Sequence, residues 1–280
     1  MTTTITISKE DFESALPVGT SAHDEVFDAV APECQLQIQF FEVALLGDEG
    51  KKMVTEAEDG APLLAQYKRL VCVSAFLAVF RQLDLVLTPT GFGIVSNDMV
   101  SPASKQRVDA LEGQLRTVQC NALAMVVDLL RSEAWGKSEQ AQNYIRHLFS
   151  AYSFFAYAKS TAVTYQDWQN MQPAVMDADN FLRTRISDEL MDELLCLYRE
   201  GKDGDSQVCL QLITLIRDFT DVWSRKGMDT VRLPVFRRLM RCVESDPDVF
   251  KSYFNSNAYK RNHHETFQNS KDSTAFVFGC

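Results

Sequence analysis

The sequence predicts a mainly α protein: a helical bundle with a tandem duplicated helical unit, one central β-hairpin and a short C-terminal strand. Three observations predict it. Apolar residues recur at three- and four-residue steps through most of the 280 residues, the spacing that lines one face of a helix. One internal stretch, residues 85–107, breaks that spacing with Pro and Gly set between two short apolar runs, the pattern of a tight turn between strands. Two distant segments repeat the same landmarks in the same order.

Residues 3–7, TTITI, are β-branched and suit a short strand. Ser8 caps a first helical turn, with Glu10 and Asp11 at its positive end. Pro17 to Ser21 breaks the chain. A helix from about Ala22 to Leu46 follows, with Phe27, Val30, Cys34, Ile38, Phe41 and Leu45 on one face and a kink expected at Pro32. Gly47-Asp48-Glu49-Gly50 ends it, and residues 51–61 read as a charged loop. The next helix, residues 63–84, is apolar nearly all round between Leu70 and Phe80, which marks a buried central helix.

In the hairpin, Leu85, Val86 and Leu87 lead into Thr88-Pro89-Thr90-Gly91, and Phe92-Gly93-Ile94-Val95 leads out. Pro presets the φ of a turn and Gly supplies the φ > 0 that closes one. Ser101-Pro102 then opens a helix as N-cap and first residue. Along it Val108, Leu111, Leu115, Val118, Ala122, Met125 and Leu129 form a heptad seam, suited to packing along another long helix of this chain or of a neighbouring subunit. Residues 138–157 read as one aromatic helix, with Tyr144, Phe149, Tyr152, Phe154, Phe155 and Tyr157 as core or interface anchors. Residues 161–173 break the pattern, and Asp177 or Asp179 starts a helix to about Arg199. Gly201-Lys202-Asp203-Gly204 ends that helix, and another of buried type runs from Val208 to Trp223. A short helix from Val235 to Val243 turns Arg237, Arg238 and Arg241 outward, a basic face for an interface. Ser245-Asp246-Pro247 caps a last helix to about Asn255. Ala275-Phe276-Val277-Phe278 suits a closing strand, for which the hairpin is an available edge.

The internal echo pairs Phe12 and Pro17 with Trp168 and Pro173 at the same spacing. Each pair precedes a long amphipathic helix that ends in Gly-x-acid-Gly, at Gly47 to Gly50 and at Gly201 to Gly204. Generic helix punctuation leaves the same marks, so common descent and chance both stay open. On the duplication reading the chain divides into a first helical unit at 1–86, the hairpin with the heptad and aromatic helices at 87–160, and a second helical unit with the tail strand at 161–280.

The chain is 46% apolar and 10% aromatic, which places it among folded rather than disordered sequences. Its seven cysteines (Cys34, Cys72, Cys120, Cys196, Cys209, Cys242 and Cys280) contain no Cys-x-x-Cys pair, and read as reduced, core-filling thiols of a cytosolic protein. The first residues carry no basic stretch followed by an apolar one, so no secretion signal is expected. The apolar run from Leu70 to Phe80 is short for a membrane span. Net charge is −10. Residues 1–60 hold thirteen acidic and three basic side chains, while the remainder holds twenty-five of each. Such a chain is a poor general nucleic-acid binder, because phosphate contacts need Lys and Arg. Its acidic first segment either solubilises the surface or meets a basic neighbour.

No catalytic, metal or cofactor residue is predicted. Gly91-Phe92-Gly93 lacks the third glycine of a dinucleotide fingerprint and any phosphate-binding Lys. No Gly-x-Ser-x-Gly elbow occurs. Among His23, His147, His263 and His264, the adjacent pair with Glu265 diverges on any regular backbone. His147, in the aromatic stretch, reads as a partly buried core residue. Asp177, Asp179, Asp246 and Asp248 flank helix starts, where capping accounts for them.

The central block carries a resemblance. Leu87-Thr88-Pro89, Gly91-Phe92-Gly93, Val95-Ser96-Asn97 and Pro102-Ala103-Ser104 resemble an L-x-L-T-P-x-G-F-G-V-V-S-N…A-P-A-S segment of an uncharacterised family in phages and prophages of gut anaerobes. Ser101 stands where that pattern has Ala. Asn269-Ser270-Lys271-Asp272-Ser273 before Phe276-Val277-Phe278 is similar to that family's end. The family implies no activity; its genes resemble neighbours of virion structural genes. The opening ISKEDF, a long helix and LLG are also similar to helical head–tail connector proteins of tailed phages. The resemblance implies a non-enzymatic virion protein without cofactor, assembled in the bacterial cytoplasm as a head-completion or head–tail adaptor component of the neck. Its partners would be further copies in a homo-oligomeric ring, portal and tail or neck proteins, and packaged DNA in passive contact, with no membrane. Leu87, Thr88, Pro89, Gly91, Phe92, Gly93 and Ile94 would form the assembly hairpin. The alternative is a soluble binding or regulatory module of a mobile element.

Overall fold

The computed structural model describes residues 5–16, 24–83, 85–88, 91–94, 104–157, 164–226 and 233–263. They are mainly helical. Helix α1 (Lys9–Ala15) starts at a reciprocal cap: the Ser8 hydroxyl accepts from the Asp11 N–H, and the Asp11 carboxylate accepts from the Ser8 N–H at 2.9 Å. The helix buries Phe12 between Phe27 and Phe76. Helix α2 (Asp24–Phe41) is continuous through Pro32. It widens into one π-helical turn at Glu42–Leu46 and changes direction at Gly47, which has φ 60°. That left-handed glycine lets α3 (Gly47–Thr55) follow at once. The stretch after Gly50, expected to be a loop, is therefore helical to Thr55, with Val54 buried beneath it.

Helix α4 (Pro62–Val79) is enclosed through its middle, with every residue from Leu70 to Phe76 buried. With the turn that follows, Pro62–Gln82 is long and apolar enough to cross a membrane by length and composition, longer than the apolar run counted in the sequence. Half of it is buried, and it packs against α1, α2 and α3. Strands β1 (Leu85–Thr88) and β2 (Gly91–Ile94) pair antiparallel, Leu85 opposite Ile94 and Thr88 opposite Gly91. The turn residues Pro89 and Thr90 lie outside the described residues.

Helix α5 (Lys105–Leu129) begins after an extended Ser104, later than the Ser101-Pro102 start expected; residues 101–103 lie outside the described residues. It runs along α4, so the heptad seam finds its partner within the chain. Two short helices, α6 (Glu133–Gly136) and α7 (Glu139–Tyr144), are each capped by a serine hydroxyl, Ser132 and Ser138. Helix α8 is Ala151–Tyr157. The single aromatic helix expected at 138–157 is thus two pieces, parted at residues 145–150. Arg199 and Arg217 donate to the carbonyls of Ile145 and Leu148 in that gap, supplying bonds a helix would have made.

Helix α9 (Tyr165–Arg185) corrects a second boundary. It starts well before Asp177 and passes through Pro173, because Thr164 and Asp167 form another reciprocal cap upstream. It stops at Ile186, and the Ser187 hydroxyl caps α10 (Asp188–Arg199) by accepting from the Leu190 N–H at 3.0 Å. The single helix expected to reach Arg199 is therefore two. Gly201, with φ 70°, turns the chain toward α11 (Gln207–Lys226). Helix α12 (Pro234–Glu244) follows. The last helix expected to reach Asn255 is instead α13 (Lys251–Phe254) and α14 (Asn257–Asn262). Residues 264–280, with the expected C-terminal strand, lie outside the described residues.

One apolar cluster runs from Ile5 to Tyr253. Phe149, Phe154 and Val175 form a smaller one, joined by Trp168 and Met171. Cys34, Cys72, Cys120, Cys209 and Cys242 are free and buried, whereas Cys196 is exposed.

Candidate functional site

Two features face solvent with the chemistry of a contact site. The first is a cavity of about 650 Å³ between the C-terminal half of α5, residues 143–152 and the N-terminal half of α9. Tyr144, Phe149, Tyr152, Tyr165 and Trp168 give it an aromatic lining. Helix α9, capped by Thr164 and unbroken at Pro173, brings Tyr165 and Trp168 to the rings of residues 144–152. The exposed side chains of Gln172, Pro173 and Met176 stand on its rim. Such a concave, mainly apolar space, with polar side chains such as Asn143, Gln169 and Gln172 set in its lining, is the usual shape of a binding site.

Charged partners back three residues of the cavity lining, Asp128, His147 and Tyr198. At its floor Tyr198 lies between two guanidiniums, Arg131 at 4.2 Å and Arg217 at 4.5 Å from the ring centroid. Its hydroxyl donates to Asp128 at 3.3 Å. Burial pushes the Tyr198 phenol up, more than the two cations pull it down. Arg131 also donates to Asp128 at 2.9 Å, to Asp203 at 2.7 Å and to the Tyr198 carbonyl at 3.0 Å, tying α5 to the turn after α10. On the cavity wall His147 Nδ1 stands 3.4 Å from Asp179 Oδ2, with no hydrogen bond between them. Arg183 Nε donates to the same oxygen at 2.8 Å and its Nη1 to Asp192 at 2.7 Å. Burial alone would raise the Asp179 carboxyl, but His147 and Arg183 together hold it below the usual carboxylate range. The arrangement can bind and orient an apolar or aromatic group.

The second feature is a ridge on α2 and its π turn. Ala29, Pro32, Leu36, Phe40 and Val43 recur at helical spacing and are all exposed. Leu36 and Phe40 each keep 57% of their surface in water and Val43 keeps 76%. A contiguous apolar row of this kind is unusual on a chain that meets no partner. The opposite face, with Val30, Cys34, Ile38 and Phe41, is buried, so α2 is apolar on both sides. In the sequence only the inward row stands out, because a single periodic stripe already satisfies the helical pattern. Five further apolar positions on the other face were the available signal. Helix α7 joins the two features: Gln140 donates to the Val43 carbonyl at 3.2 Å, and Asn143 and Tyr144, a turn later, line the cavity.

The residues predicted from sequence fall elsewhere. Leu87, Thr88, Gly91, Phe92, Gly93 and Ile94 sit on β1 and β2, and Pro89 lies outside the described residues. Arg237, Arg238 and Arg241 are exposed on α12. His263 stacks on Tyr259 and stands 3.7 Å from Glu244; His264 and Glu265 lie outside the described residues. His147, read as a partly buried core residue, is half-buried and stands on the cavity wall.

Residues 36–145 match a family of unknown function (DUF6712). No curated protein and no solved structure matches the chain. The matched segment starts at the ridge and closes on itself. Trp135, fully buried, donates its indole N–H to the Leu45 carbonyl at 3.2 Å, and its ring lies against Gly50. The end of the matched region therefore returns to the π turn near its start.

Proposed function

We propose that this protein is a non-enzymatic structural component of a tailed-phage or prophage neck, a head-completion or head–tail adaptor ring subunit. The observation that carries the reading is the exposed row of Leu36, Phe40 and Val43. An apolar row held in water on a rigid helix gains free energy when another protein covers it. The likeness of the Leu87–Ser104 block to phage and prophage proteins supplies the setting. Partners are further copies in a ring, portal and tail or neck proteins, and packaged DNA in passive contact. The ring works in the virion after assembly in the host cytoplasm, with no membrane and no cofactor. The hairpin residues Leu87 to Ile94 dock on a neighbour or line the channel, and the basic face of Arg237, Arg238 and Arg241 meets an acidic first segment. The finer architecture belongs to the same proposal: a tandem duplication, the hairpin as an assembly device and a tail strand at residues 275–278. The matching caps at Ser8 and Thr164, and the matching left-handed glycines Gly47 and Gly201, support the duplication.

Immunogold labelling of virions is expected to place the protein at the neck, and virions that lack it overturn the reading. The cavity favours a second reading, a soluble binding or regulatory module of a mobile element. Sedimentation separates the two: a ring subunit forms higher oligomers alone or with portal, and a module stays small.

A further inference from the structure

Resting on the assembly reading above, we propose that the α2 ridge of one copy of this chain seats in the aromatic cavity of a second copy. Each surface is one half of a contact. The ridge is convex, rigid and apolar, and it ends in the π turn that presents Val43. The cavity is concave and open on one side, and its rim residue Met176 keeps 54% of its surface in water. A space of about 650 Å³ admits the Phe40 ring with its two aliphatic neighbours. Tyr144, Phe149 and Trp168 offer that ring edges and faces to pack against.

Charge points the same way. The sequence of Asp24–Phe41 contains four carboxylates and no Lys or Arg, and Asp28 and Glu33 flank the ridge. The cavity side carries the exposed Arg146, whose guanidinium donates to the Asn143 carbonyl at 3.0 Å and makes no ion pair among the described residues. The carboxylate in the cavity lining, Asp128, is already paired with Arg131, so an acidic apolar helix and a cavity with an unpaired guanidinium at its side are electrostatic complements. Phe40 is the anchor, since a large aromatic buried at the centre of a patch carries most of the energy of such contacts.

Paired variants test this. Phe40→Asp spoils the ridge, and Met176→Glu places a carboxylate on the rim facing the acidic helix. Both residues are exposed, so each variant keeps the wild-type helical circular dichroism. Wild type associates with rising concentration in sedimentation velocity, and each variant alone weakens that association by about tenfold or more. A chain with a spoiled ridge still offers a cavity, and the converse, so an equimolar mixture recovers a species with one chain of each kind. Arg146→Glu weakens association in a salt-dependent way. The proposal is overturned by either variant associating like wild type, or by a mixture that recovers nothing. It is also overturned by a wild type that stays monomeric at millimolar concentration, its cavity filled by residues 264–280 of its own chain or by a small molecule. A ring that persists in Phe40→Asp removes this contact and leaves the neck reading standing. Virions without the protein remove the neck reading and leave this contact standing.

Discussion

Asp179, 3.4 Å from the cavity residue His147, shows what one buried carboxylate contributes. It keeps 8% of its surface in water and is paired with Arg183. Its folded pKa is depressed, so the stabilisation it gives is fully present above the unfolded value, about 3.9, and is lost as pH falls through the folded one. Asp179→Asn is expected to cost about 2 kcal/mol at neutral pH, since a hydrogen bond to a charged group is lost and Arg183 is left with Asp192 and Asp188. Urea titrations at pH 7 and pH 3 check both parts: the difference between wild type and variant should shrink at the lower pH. Trp135 acts by size. Trp135→Ala is expected to lose roughly 3–5 kcal/mol, read as a drop in the urea midpoint, because the fully buried ring also satisfies the Leu45 carbonyl. Next to it, a β-carbon at Gly136 would lie 2.6 Å from the Arg199 carbonyl oxygen. Gly136→Ala must therefore push α6 from the end of α10, at a cost of about 2 kcal/mol or more in the same assay. Neither requirement was readable from a Trp-Gly dipeptide, because both partners are distant in sequence.

At the scale of elements, helices were legible wherever a stripe of apolar residues had one dominant face. The seam of α5 and the all-round apolar stretch of α4 follow from that, and so does their packing together. Boundaries were lost where a local device overrode the stripe. Gly47 bends the chain without a loop, Thr164 and Asp167 start α9 before its apolar row begins, and Ser187 splits a row that looked continuous. Pro173 misled for a physical reason: proline deletes one hydrogen bond, and a long helix with a strong cap tolerates that loss. Under the assembly reading the hairpin has its own test. Deleting residues 88–94 is expected to leave a folded monomer by circular dichroism that no longer forms rings in sedimentation, and normal rings would count against a role for it.

At the scale of the whole molecule, α1, α2, α3 and α5 gather around α4, while α11 packs on α9 and α12. A single apolar cluster joins Ile5 near one end of the described chain to Tyr253 near the other. Unfolding in urea is accordingly expected as one transition, with tryptophan fluorescence and helical circular dichroism coinciding. Separated transitions would mean that part of the cluster opens alone. The cavity was the least legible feature. Its lining comes from α5, the gap at residues 145–150, α9 and Tyr198, and no periodicity marks residues that meet only across a tertiary space. The aromatic density between Tyr144 and Phe155 was visible, and its assignment to core or interface anchors describes both the buried Phe149 and Phe154 and the half-open Tyr144 and Tyr152.

The five enclosed thiols carry a practical consequence. Cys34 and Cys72 sit in the region of α2 and α4, Cys120 in α5, Cys209 in α11 and Cys242 in α12, so each layer holds its own silent reporter. A maleimide added to the native protein reaches Cys196 at once, whereas alkylation of the enclosed five must wait for the layer around each to open. Mass spectrometry of the alkylated peptides over time would then rank those layers by how readily they breathe, without a single engineered label.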